Sequence, residues 1–285
     1  MRMAAAARVT SRNARFQQWS ALLANRTKRQ RAGQFLVQGV RPLTLAVEHG
    51  WTIAELLYDA DTTLSRWAVE LRDRVGTAAT RYAVSGELLR ELGGKADATP
   101  ELLAAVRMPA DDLGRIPARP DLLVVVFDRP TSPGNLGTLV RSADAFGASG
   151  VVVTGHAADV YDPQAVRAST GSLFALPVVR APSHREVLDW VAGLRAGGLD
   201  PRLVGADEGA DVDVAGYPLT GPVVLLVGNE TAGLSAAWRE AADDLVRIPI
   251  GGAASSLNAA TAGSVLLYEA ARQRAIHLSS GPDSG

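Results

Sequence analysis

Hydrophobic and polar positions divide the chain into two regions with different periodicity. Before residue 94, short apolar runs alternate with segments of helical spacing, such as Phe16, Trp19 and Leu22 behind a potential N-cap at Ser11. This pattern predicts a helix ending at Asn25, followed by further elements of a small α/β domain at residues 11–93. The further elements are strands near 35–37, 53–58 and 81–84 and helices near 42–49, 65–75 and up to residue 93.

After residue 120 the apolar runs become continuous and rich in β-branched residues. They lie at 122–127, 151–154, 178–179, 203–205, 223–227 and 246–248. Runs without alternation are typical of parallel strands whose sheet is covered by helices on both faces. The sequence therefore predicts an α/β fold with a doubly wound domain at residues 121–276.

Three other segments show no such pattern. Residues 94–120 are rich in glycine and proline and contain one amphipathic stretch at 102–106, and we interpret them as a linker. Residues 1–10 are expected to be a disordered start, and residues 277–285 a loose tail.

Composition removes several classes of function. The chain has no cysteine and four scattered histidines, so we expect no disulfide, no thiolate nucleophile and no metal. The longest apolar run, at 122–127, has six residues and is far shorter than the roughly 18 that a membrane helix needs. We therefore expect a soluble, cytoplasmic protein that does not enter the membrane.

Charge is distributed unevenly along the chain. Residues 1–47 carry nine arginines or lysines and no acid, whereas the remainder has a net charge of -10. A local positive field of this kind favours a polyanionic partner such as RNA, and arginine suits bidentate phosphate contacts. The alternative is a frayed, solvated terminus, but Phe16, Trp19 and Phe35 within the segment favour a folded, RNA-binding surface.

The first candidate motif is residues 128–147 (DRPTSPGNLGTLVRSADAFG), which follow a predicted strand. Ligands of open α/β sheets bind beyond the carboxyl ends of the strands, so residues at this place are candidates for chemistry. Asn135 occupies a potential N-cap of a helix whose core face includes Leu136 and Leu139. Arg141 lies off that face. It is either functional or a surface residue paired with Asp144.

Two further motifs also follow predicted strands. Residues 228–235 (GNETAGLS) combine two glycines with Asn229 and Glu230 but lack the lysine of a phosphate loop. They form either a ligand-contacting turn or a tight turn alone. Residues 248–263 (IPIGGAASSLNAATAG) bring Ser256 and Asn258 to the start of a helix. That arrangement suits a polar ligand or a simple N-cap.

In order and spacing, the three motifs resemble the signature motifs of SpoU-type RNA ribose 2′-O-methyltransferases, which belong to the SPOUT superfamily. Residues 10–19 (TSRNARFQQW) and 35–39 (FLVQG) are similar to the RNA-binding domain that precedes the catalytic domain in this family. Together with residues 128–134 and 155–163 (GHAADVYDP), they also resemble a family member that methylates ribosomal RNA and confers antibiotic resistance. The resemblance covers nearly the whole chain.

The resemblance implies a SPOUT domain with a deep trefoil knot that binds S-adenosylmethionine (AdoMet). The implied cofactor contacts are Gly205, Gly228, Ile248, Ile250 and Leu257. The implied catalytic positions are Arg141, Asn135, Glu230, Ser256 and Asn258.

Roles can be assigned to these catalytic positions as expectations. A guanidinium is a poor base, so we expect Arg141 to hold the phosphate beside the target ribose and to orient the 2′-hydroxyl. We expect Asn135 and Glu230 to hold Arg141 and the ribose. Ser256 and Asn258 are expected to contact the cofactor tail and the nucleotide.

The implied substrate is RNA, with a uridine of 23S ribosomal RNA favoured and transfer RNA as the alternative. The expected RNA-binding residues are Arg12, Arg15, Arg26, Lys28, Arg29, Arg31 and Arg167. The family works as a dimer, and the apolar helix around residues 265–268 is either that interface or internal core. A non-catalytic ribosome-assembly protein and a small-molecule enzyme are further alternatives, but the first predicts the loss of Arg141 or Asn258, and the second leaves the basic segment unexplained.

Overall fold

The computed structural model describes residues 6–94 and 99–279, which form two compact units. The first unit comprises residues up to Pro109 together with Tyr161–Ala175. The second unit comprises Ala110–Val160 and the chain from Leu176 onward. A short segment from the second half of the sequence therefore folds as part of the first unit.

The first unit is built around a five-stranded sheet. Its elements before residue 110 are β1 (Ala7–Val9), α1 (Ala14–Ala24), α2 (Arg26–Ala32), β2 (Gln34–Gln38), α3 (Val40–Glu48), β3 (Ile53–Asp59), α4 (Arg66–Val75), β4 (Thr80–Val84), α5 (Gly86–Gly93) and β5 (Leu102–Arg107). The strand order is β1-β4-β3-β5-β2, with β5 antiparallel to both of its neighbours. The predicted small α/β fold is confirmed.

Helix α1 packs the predicted apolar side chains Phe16, Trp19 and Leu22 into the core of the first unit. Its N-cap is Asn13 and not Ser11, because the Asn13 Oδ1 atom accepts hydrogen bonds from the backbone N–H groups of Arg15 and Phe16, both at 3.1 Å. The helix ends at its predicted C-cap, Asn25. Side-chain capping therefore places the first helical turn two residues later than the sequence predicts.

The stretch expected to be a linker contains β5, which lies between β2 and β3 in the sheet. Leu102–Val106 is buried throughout, which no exposed linker would be. Neighbouring strands on both sides use its backbone hydrogen-bonding groups, so tertiary pairing overrides the loop-like composition of its flanks. Strand β1 likewise lies within the expected disordered start, and the C-terminal helix, Ala259–Ser279, extends through residues 277–279 of the expected loose tail. Within these predicted segments, residues 1–5, 95–98 and 280–285 lie outside the described residues.

The later part of the chain forms a seven-stranded sheet. Its elements in chain order are β6 (Leu123–Asp128), α6 (Pro133–Ala145), β7 (Gly150–Thr154), α7 (Pro163–Ala168), α8 (Ser172–Ala175), β8 (Val178–Ala181), α9 (His184–Ala196), β9 (Arg202–Ala206), β10 (Val212–Asp213), β11 (Val223–Val227), α10 (Ala236–Ala241), β12 (Asp244–Arg247) and α11 (Ala259–Ser279). Helices α7 and α8 belong to the first unit. The strand order is β10-β12-β9-β11-β6-β7-β8, and every pairing is parallel, as predicted.

The strand order positions the candidate motifs. Strands β12, β9, β11 and β6 are consecutive neighbours, so their carboxyl ends share one edge of the parallel sheet. The loops that follow these four strands, which include all three motifs, therefore begin side by side.

The segment 161–175 is anchored in the first unit by aromatic and polar contacts. The Phe35 ring lies 4.6 Å from the Tyr161 ring and 6.2 Å from the Phe174 ring, measured between centroids. The Trp51 Nε1–H donates a hydrogen bond to the carbonyl oxygen of Phe174 at 3.1 Å. The core of the first unit is thus completed by residues that lie more than one hundred positions later in the sequence.

The helices within residues 6–94 and 99–279 are too short or too polar to span a membrane. No group of three or more histidine, aspartate or glutamate side chains there is placed to hold a metal ion.

Candidate functional site

The loops after β9, β11 and β12 line one cleft of about 270 Å³ in the second unit. Its lining includes Gly228, Glu230, Ile248, Ile250, Ser256 and Leu257. The side chains of Ile250 and Leu257 remain 37% and 38% exposed, although both are large and apolar. Apolar side chains exposed inside a concave site are typical of a surface that a ligand covers.

Four of the five predicted cofactor contacts line this cleft, and Gly205 does not. A Cβ atom on Gly205 would lie 2.7 Å from the Leu245 Cδ2 atom and 2.9 Å from the Leu234 Cδ1 atom. The glycine therefore leaves room for the side chains of Leu245 and Leu234 against β9, and the next residue, Ala206, lines the cleft instead.

Gly228 allows the chain to fold back sharply after β11. A Cβ atom there would lie 2.2 Å from the carbonyl carbon of Gly233 and 2.3 Å from the backbone nitrogen of Leu234. The turn is closed by reciprocal backbone hydrogen bonds between Asn229 and Gly233, at 3.0 and 3.1 Å. The segment is therefore both a tight turn and a wall of the cleft, which unites the two interpretations of its sequence.

The carboxylate of Glu230 joins the second motif to the first. It accepts hydrogen bonds from the Thr131 backbone N–H and Oγ1–H groups, both at 3.0 Å, and from the Ser132 backbone N–H at 3.2 Å. The Asn135 Nδ2 group donates a further bond to Oε1 at 3.1 Å. A single charged acceptor thus holds the loop after β6 and the start of α6 against the turn after β11.

Burial raises the pKa of the Glu230 carboxyl, but its hydrogen bonds more than offset that effect. The bonds come from the backbone of Thr131, from the Glu230 backbone itself, from the Asn135 side chain and from the Ser132 backbone. The pKa therefore lies below its ordinary value of 4.5, because these donors stabilise the ionised form.

Replacing Glu230 with glutamine should lower the free energy of unfolding at neutral pH by about 1–3 kcal/mol. Glutamine lacks the negative charge of the carboxylate. Its amide would also place an N–H group opposite N–H and O–H donors, which need an acceptor. Since the folded pKa is depressed, the stabilisation is present above pH 4.5 and is lost as the pH falls through the folded pKa. Urea unfolding of the wild-type protein and of the variant, at pH values from neutral to below 4.5, measures this difference in the free energy of unfolding. A constant difference at every pH would contradict the prediction.

Asn258 joins the third motif to the same network. Its Nδ2 group donates to the Asn135 Oδ1 atom at 3.1 Å, and its own Oδ1 atom accepts from the Ala260 and Thr261 backbone N–H groups at 2.9 and 3.2 Å. Asn258 therefore caps α11 and also links it to α6. The side chains of Glu230, Asn135 and Asn258 form one continuous hydrogen-bonded chain across the three motifs, which we call the motif network.

The position of Asn135 differs from the one the sequence predicts. The N-cap of α6 is Ser132, whose Oγ atom accepts from the Asn135 backbone N–H at 3.3 Å. Asn135 instead lies in the first turn of the helix. Its side chain is then free to face Glu230 and Asn258, because the capping function is already filled.

Arg141 lies exposed on α6, six residues beyond Asn135. Among the described residues its guanidinium forms no hydrogen bond or ion pair, with Asp144 or with any other group. The expected contact with Asn135 and Glu230 is therefore absent, because those two side chains bind each other. Arg141 is left available for an anion from outside the protein.

Three other side chains shape the cleft and were not predicted. Asp207, which is nearly buried just after β9, forms an ion pair with Arg239 of α10, and both line the cleft. Arg129 has a left-handed φ of 53°, and its guanidinium donates to the Gly233 carbonyl oxygen at 3.1 Å. The position of Asp207 after a buried strand is a signal that could have found it, whereas Arg239 carries none.

The expected RNA-binding residues lie in the first unit and fall into three groups. Arg26, Lys28, Arg31 and Arg167 are exposed. Arg12 and Arg15 are also exposed, and they form ion pairs with Glu91 at 2.7 Å and with Glu55 at 3.0 Å. Arg29 is 2% exposed. The seven residues look equivalent in the sequence but differ in their exposure and in their ion pairs.

Arg29 is a structural residue, which corrects the expectation that it binds RNA. Its guanidinium donates to the carbonyl oxygens of Leu22 and Leu23 at 2.9 and 3.1 Å, and it pairs with Asp162 at 3.5 Å. It thereby ties the end of α1 to the segment 161–175.

Arg29→Ala should therefore destabilise the protein by about 2–3 kcal/mol, because two carbonyls and a carboxylate lose their partner. Arg31→Ala, on the same helix but exposed, is the matched control and should leave the melting temperature within about 1 °C. In RNA titrations we expect the opposite order, with Arg31→Ala lowering the logarithmic salt slope by about 0.7–0.9. Equal melting temperatures for the two variants would contradict the structural role.

Comparison with known proteins gives matches along the chain. Residues 13–104 match the SpoU L30e-like domain, and residues 122–268 match the SpoU rRNA Methylase family. The chain is 62% identical over 273 residues to the 23S rRNA (uridine(2479)-2′-O)-methyltransferase of Streptomyces viridochromogenes, covering 96% of this chain and 94% of that protein.

Solved structures agree with the sequence matches. The crystal structure of the SpoU methyltransferase AviRb from Streptomyces viridochromogenes in complex with AdoMet matches with a TM-score of 0.88 and 61% identity, over 93% of this chain and 99% of that one. The AdoMet-bound rRNA methyltransferase from Sinorhizobium meliloti matches with a TM-score of 0.82 and 30% identity, over 93% and 97% of the two chains.

Proposed function

The chain belongs to the SpoU rRNA methylase family, and from that premise we propose that it methylates the 2′-hydroxyl of one uridine in 23S ribosomal RNA, with AdoMet as methyl donor. The observation that carries the proposal is the motif network, which joins the three signature motifs of the family at one edge of the sheet, where the second and third of them line the cleft. The same chemistry on transfer RNA is the second candidate, because the motifs are common to both substrate classes.

The cleft has the features that AdoMet requires. It is lined by the backbone of the turn at residues 228–234 and by the apolar side chains of Ile248, Ile250 and Leu257. It lacks a phosphate-binding loop, and AdoMet has no phosphate. When bound, the cofactor supplies an electrophilic methyl group. The protein would hold it through backbone groups and apolar walls, leaving the ionised Glu230 to keep the loops in place.

Positioning is the main contribution of the protein to this reaction. A ribose 2′-hydroxyl is a weak acid and must be aligned with the methyl group that it attacks. The exposed guanidinium of Arg141 would hold the phosphate next to the target ribose and align the hydroxyl with the methyl group. Because guanidinium groups are poor bases in general, the proton of the hydroxyl leaves to solvent or to a transiently perturbed group.

We assign RNA binding to the exposed cations of the first unit, which are Arg26, Lys28, Arg31 and Arg167.

A homodimer is supported by α11, where Tyr268 and Ile276 are 54% and 51% exposed. Large exposed apolar side chains on one helix suit a second copy of the chain. A cytoplasmic location follows from a ribosomal RNA substrate, and protection against a ribosome-targeting antibiotic would follow from methylation at the drug site. The trefoil knot stays a prediction.

The proposal is tested by transfer of labelled methyl from AdoMet to separate pools of 23S, 16S and transfer RNA. We expect label in 23S RNA at one ribose-methylated uridine. Label in transfer RNA alone would contradict the assignment of 23S RNA as the substrate and would support the proposed reaction. If neither naked RNA nor the assembled large ribosomal subunit becomes labelled, the enzymatic proposal fails and a non-catalytic role in ribosome assembly replaces it.

A further inference from the structure

A second cleft, of about 140 Å³, lies entirely within the first unit. It is bounded by the end of β2 and by α7, and its floor consists of Leu36, Val37, Leu103 and Val166, each at most 6% exposed. A dry apolar cavity of about 150 Å³ is large enough to hold benzene. The cleft therefore has room for one six-membered ring.

One polar edge accompanies these apolar walls. The Gln38 Nε2 group is occupied by a hydrogen bond to the Gly93 carbonyl oxygen at 2.8 Å. Its Oε1 atom accepts no hydrogen bond from the residues that the structure describes. An apolar slot with one unused acceptor suits a planar ring that carries an N–H group.

The backbone at the rim is unusual. Thr170 lines the cleft with a φ of 53°, a conformation that is strained for a β-branched residue. The following Gly171 has a φ of 97°, and a Cβ atom on it would lie 2.7 Å from the Leu45 Cδ1 atom. Strained backbone of this kind is concentrated at ligand-binding sites.

Two exposed arginines lie beside the cleft. Arg167 lines it directly, and the Cγ atom of Arg41 lies 3.6 Å from the position of a Cβ atom on Gly171, in the turn after α7. Within the described residues neither guanidinium forms an ion pair or a hydrogen bond. By contrast, Arg12 and Arg15 of the same unit are paired with carboxylates.

We infer that this cleft binds one unstacked pyrimidine base of the RNA, with Arg41 and Arg167 on the flanking phosphates. The inference rests on the proposed RNA-modifying function and adds a base-specific site in the first unit. Single-stranded RNA is recognised by bases that leave the stack and enter pockets, while cations hold the backbone. The cleft combines an apolar slot, an acceptor for an N–H group such as N3–H of uracil, and two exposed cations that bind no other group in the part of the chain that the structure describes.

The base site is tested first with the unmodified protein. Its affinity for a short oligouridylate should exceed that for the abasic ribose-phosphate chain of equal length by about 10-fold. An oligonucleotide with 4-thiouridine should cross-link on irradiation to residues 36–42 or 163–170, as mapped by mass spectrometry. Equal affinities, no measurable binding, or cross-links elsewhere would each overturn the inference.

Variants then separate the base from the phosphates. Val166→Phe fills the cleft and should remove the preference for oligouridylate over the abasic chain, at an unchanged melting temperature. Arg41→Ala with Arg167→Ala should instead lower affinity for both probes and reduce the salt slope by about 1.4. Arg107→Ala is the control, since this exposed arginine lies opposite Gln34 at the other end of β2.

The outcomes are distinguishable from those of the methylation assay. Methyl transfer to 23S RNA without a base preference would contradict only the proposed base site. Base binding without methyl transfer would support the base site and contradict the proposed reaction. If Val166→Phe alters the sedimentation of the protein and leaves oligonucleotide affinity unchanged, the cleft is covered by a second copy and the inference fails.

Discussion

Arg141→Lys should lower the turnover of 23S RNA by about 100-fold or more, with AdoMet affinity unchanged. The exposed guanidinium forms no bond within the described part of the chain, so its loss removes an interaction with substrate and not a structural contact. A guanidinium holds a phosphate through two parallel hydrogen bonds, whereas an ammonium acts as a point charge. Loss of that fork would misplace the 2′-hydroxyl, and a misplacement of about 1 Å can cost a factor of about 100.

Single-turnover kinetics and calorimetric AdoMet binding measure the two quantities separately. Arg185→Lys serves as the control, because Arg185 is an exposed arginine on α9 and has no part in the cleft. Near-normal turnover by Arg141→Lys would contradict the positioning role and favour proton abstraction at this position. A lysine acting as base would also give a rate that rises with pH toward its pKa of about 10.4.

Gly228→Ala should abolish measurable AdoMet binding and destabilise the second unit by at least about 3 kcal/mol. The added Cβ atom would lie 2.2 Å from a backbone carbon and 2.3 Å from a backbone nitrogen, and neither can move without opening the turn. An opened turn would displace Glu230 and with it the rest of the motif network. Calorimetry and urea unfolding measure the two effects.

Gly221→Ala is the matched control, because a Cβ atom there meets no atom within 4 Å and Gly221 lies outside the cleft. It should leave AdoMet affinity within about twofold and stability within about 0.5 kcal/mol. If Gly228→Ala bound AdoMet as tightly as the control, the turn would not be the cofactor wall that we propose.

Six of the seven parallel strands of the second unit could be predicted from the sequence because they contain apolar runs bounded by polar residues. Strand β10 could not, because it has only two residues and both are exposed. The motif positions followed, since parallel strands place their chemistry at their carboxyl ends. The sequence could not predict which polar side chains would contact each other. Asn135 looks like a helix cap in the sequence, and only the fold shows that Ser132 takes that function and leaves Asn135 for Glu230.

The sequence also could not predict which polar residues are buried. Arg29 and Arg31 lie two residues apart in a basic segment and look equivalent, yet one is 2% exposed and the other is at the surface. Their difference depends on Asp162, which is remote in sequence. Strand β5 was hidden for a similar reason, because its partners β2 and β3 lie on both sides of it only after the chain has folded.

The placement of residues 161–175 in the first unit affects the order in which the protein matures during its synthesis. A nascent chain that has emerged up to Pro109 still lacks Tyr161 and Phe174, the rings that cover Phe35 and Trp51. Domains generally fold as units from the N-terminus as they leave the ribosome. Here the first unit must wait until residue 175 of 285 has been synthesised, so its apolar surface stays open to chaperones until about one third of the second unit has been translated.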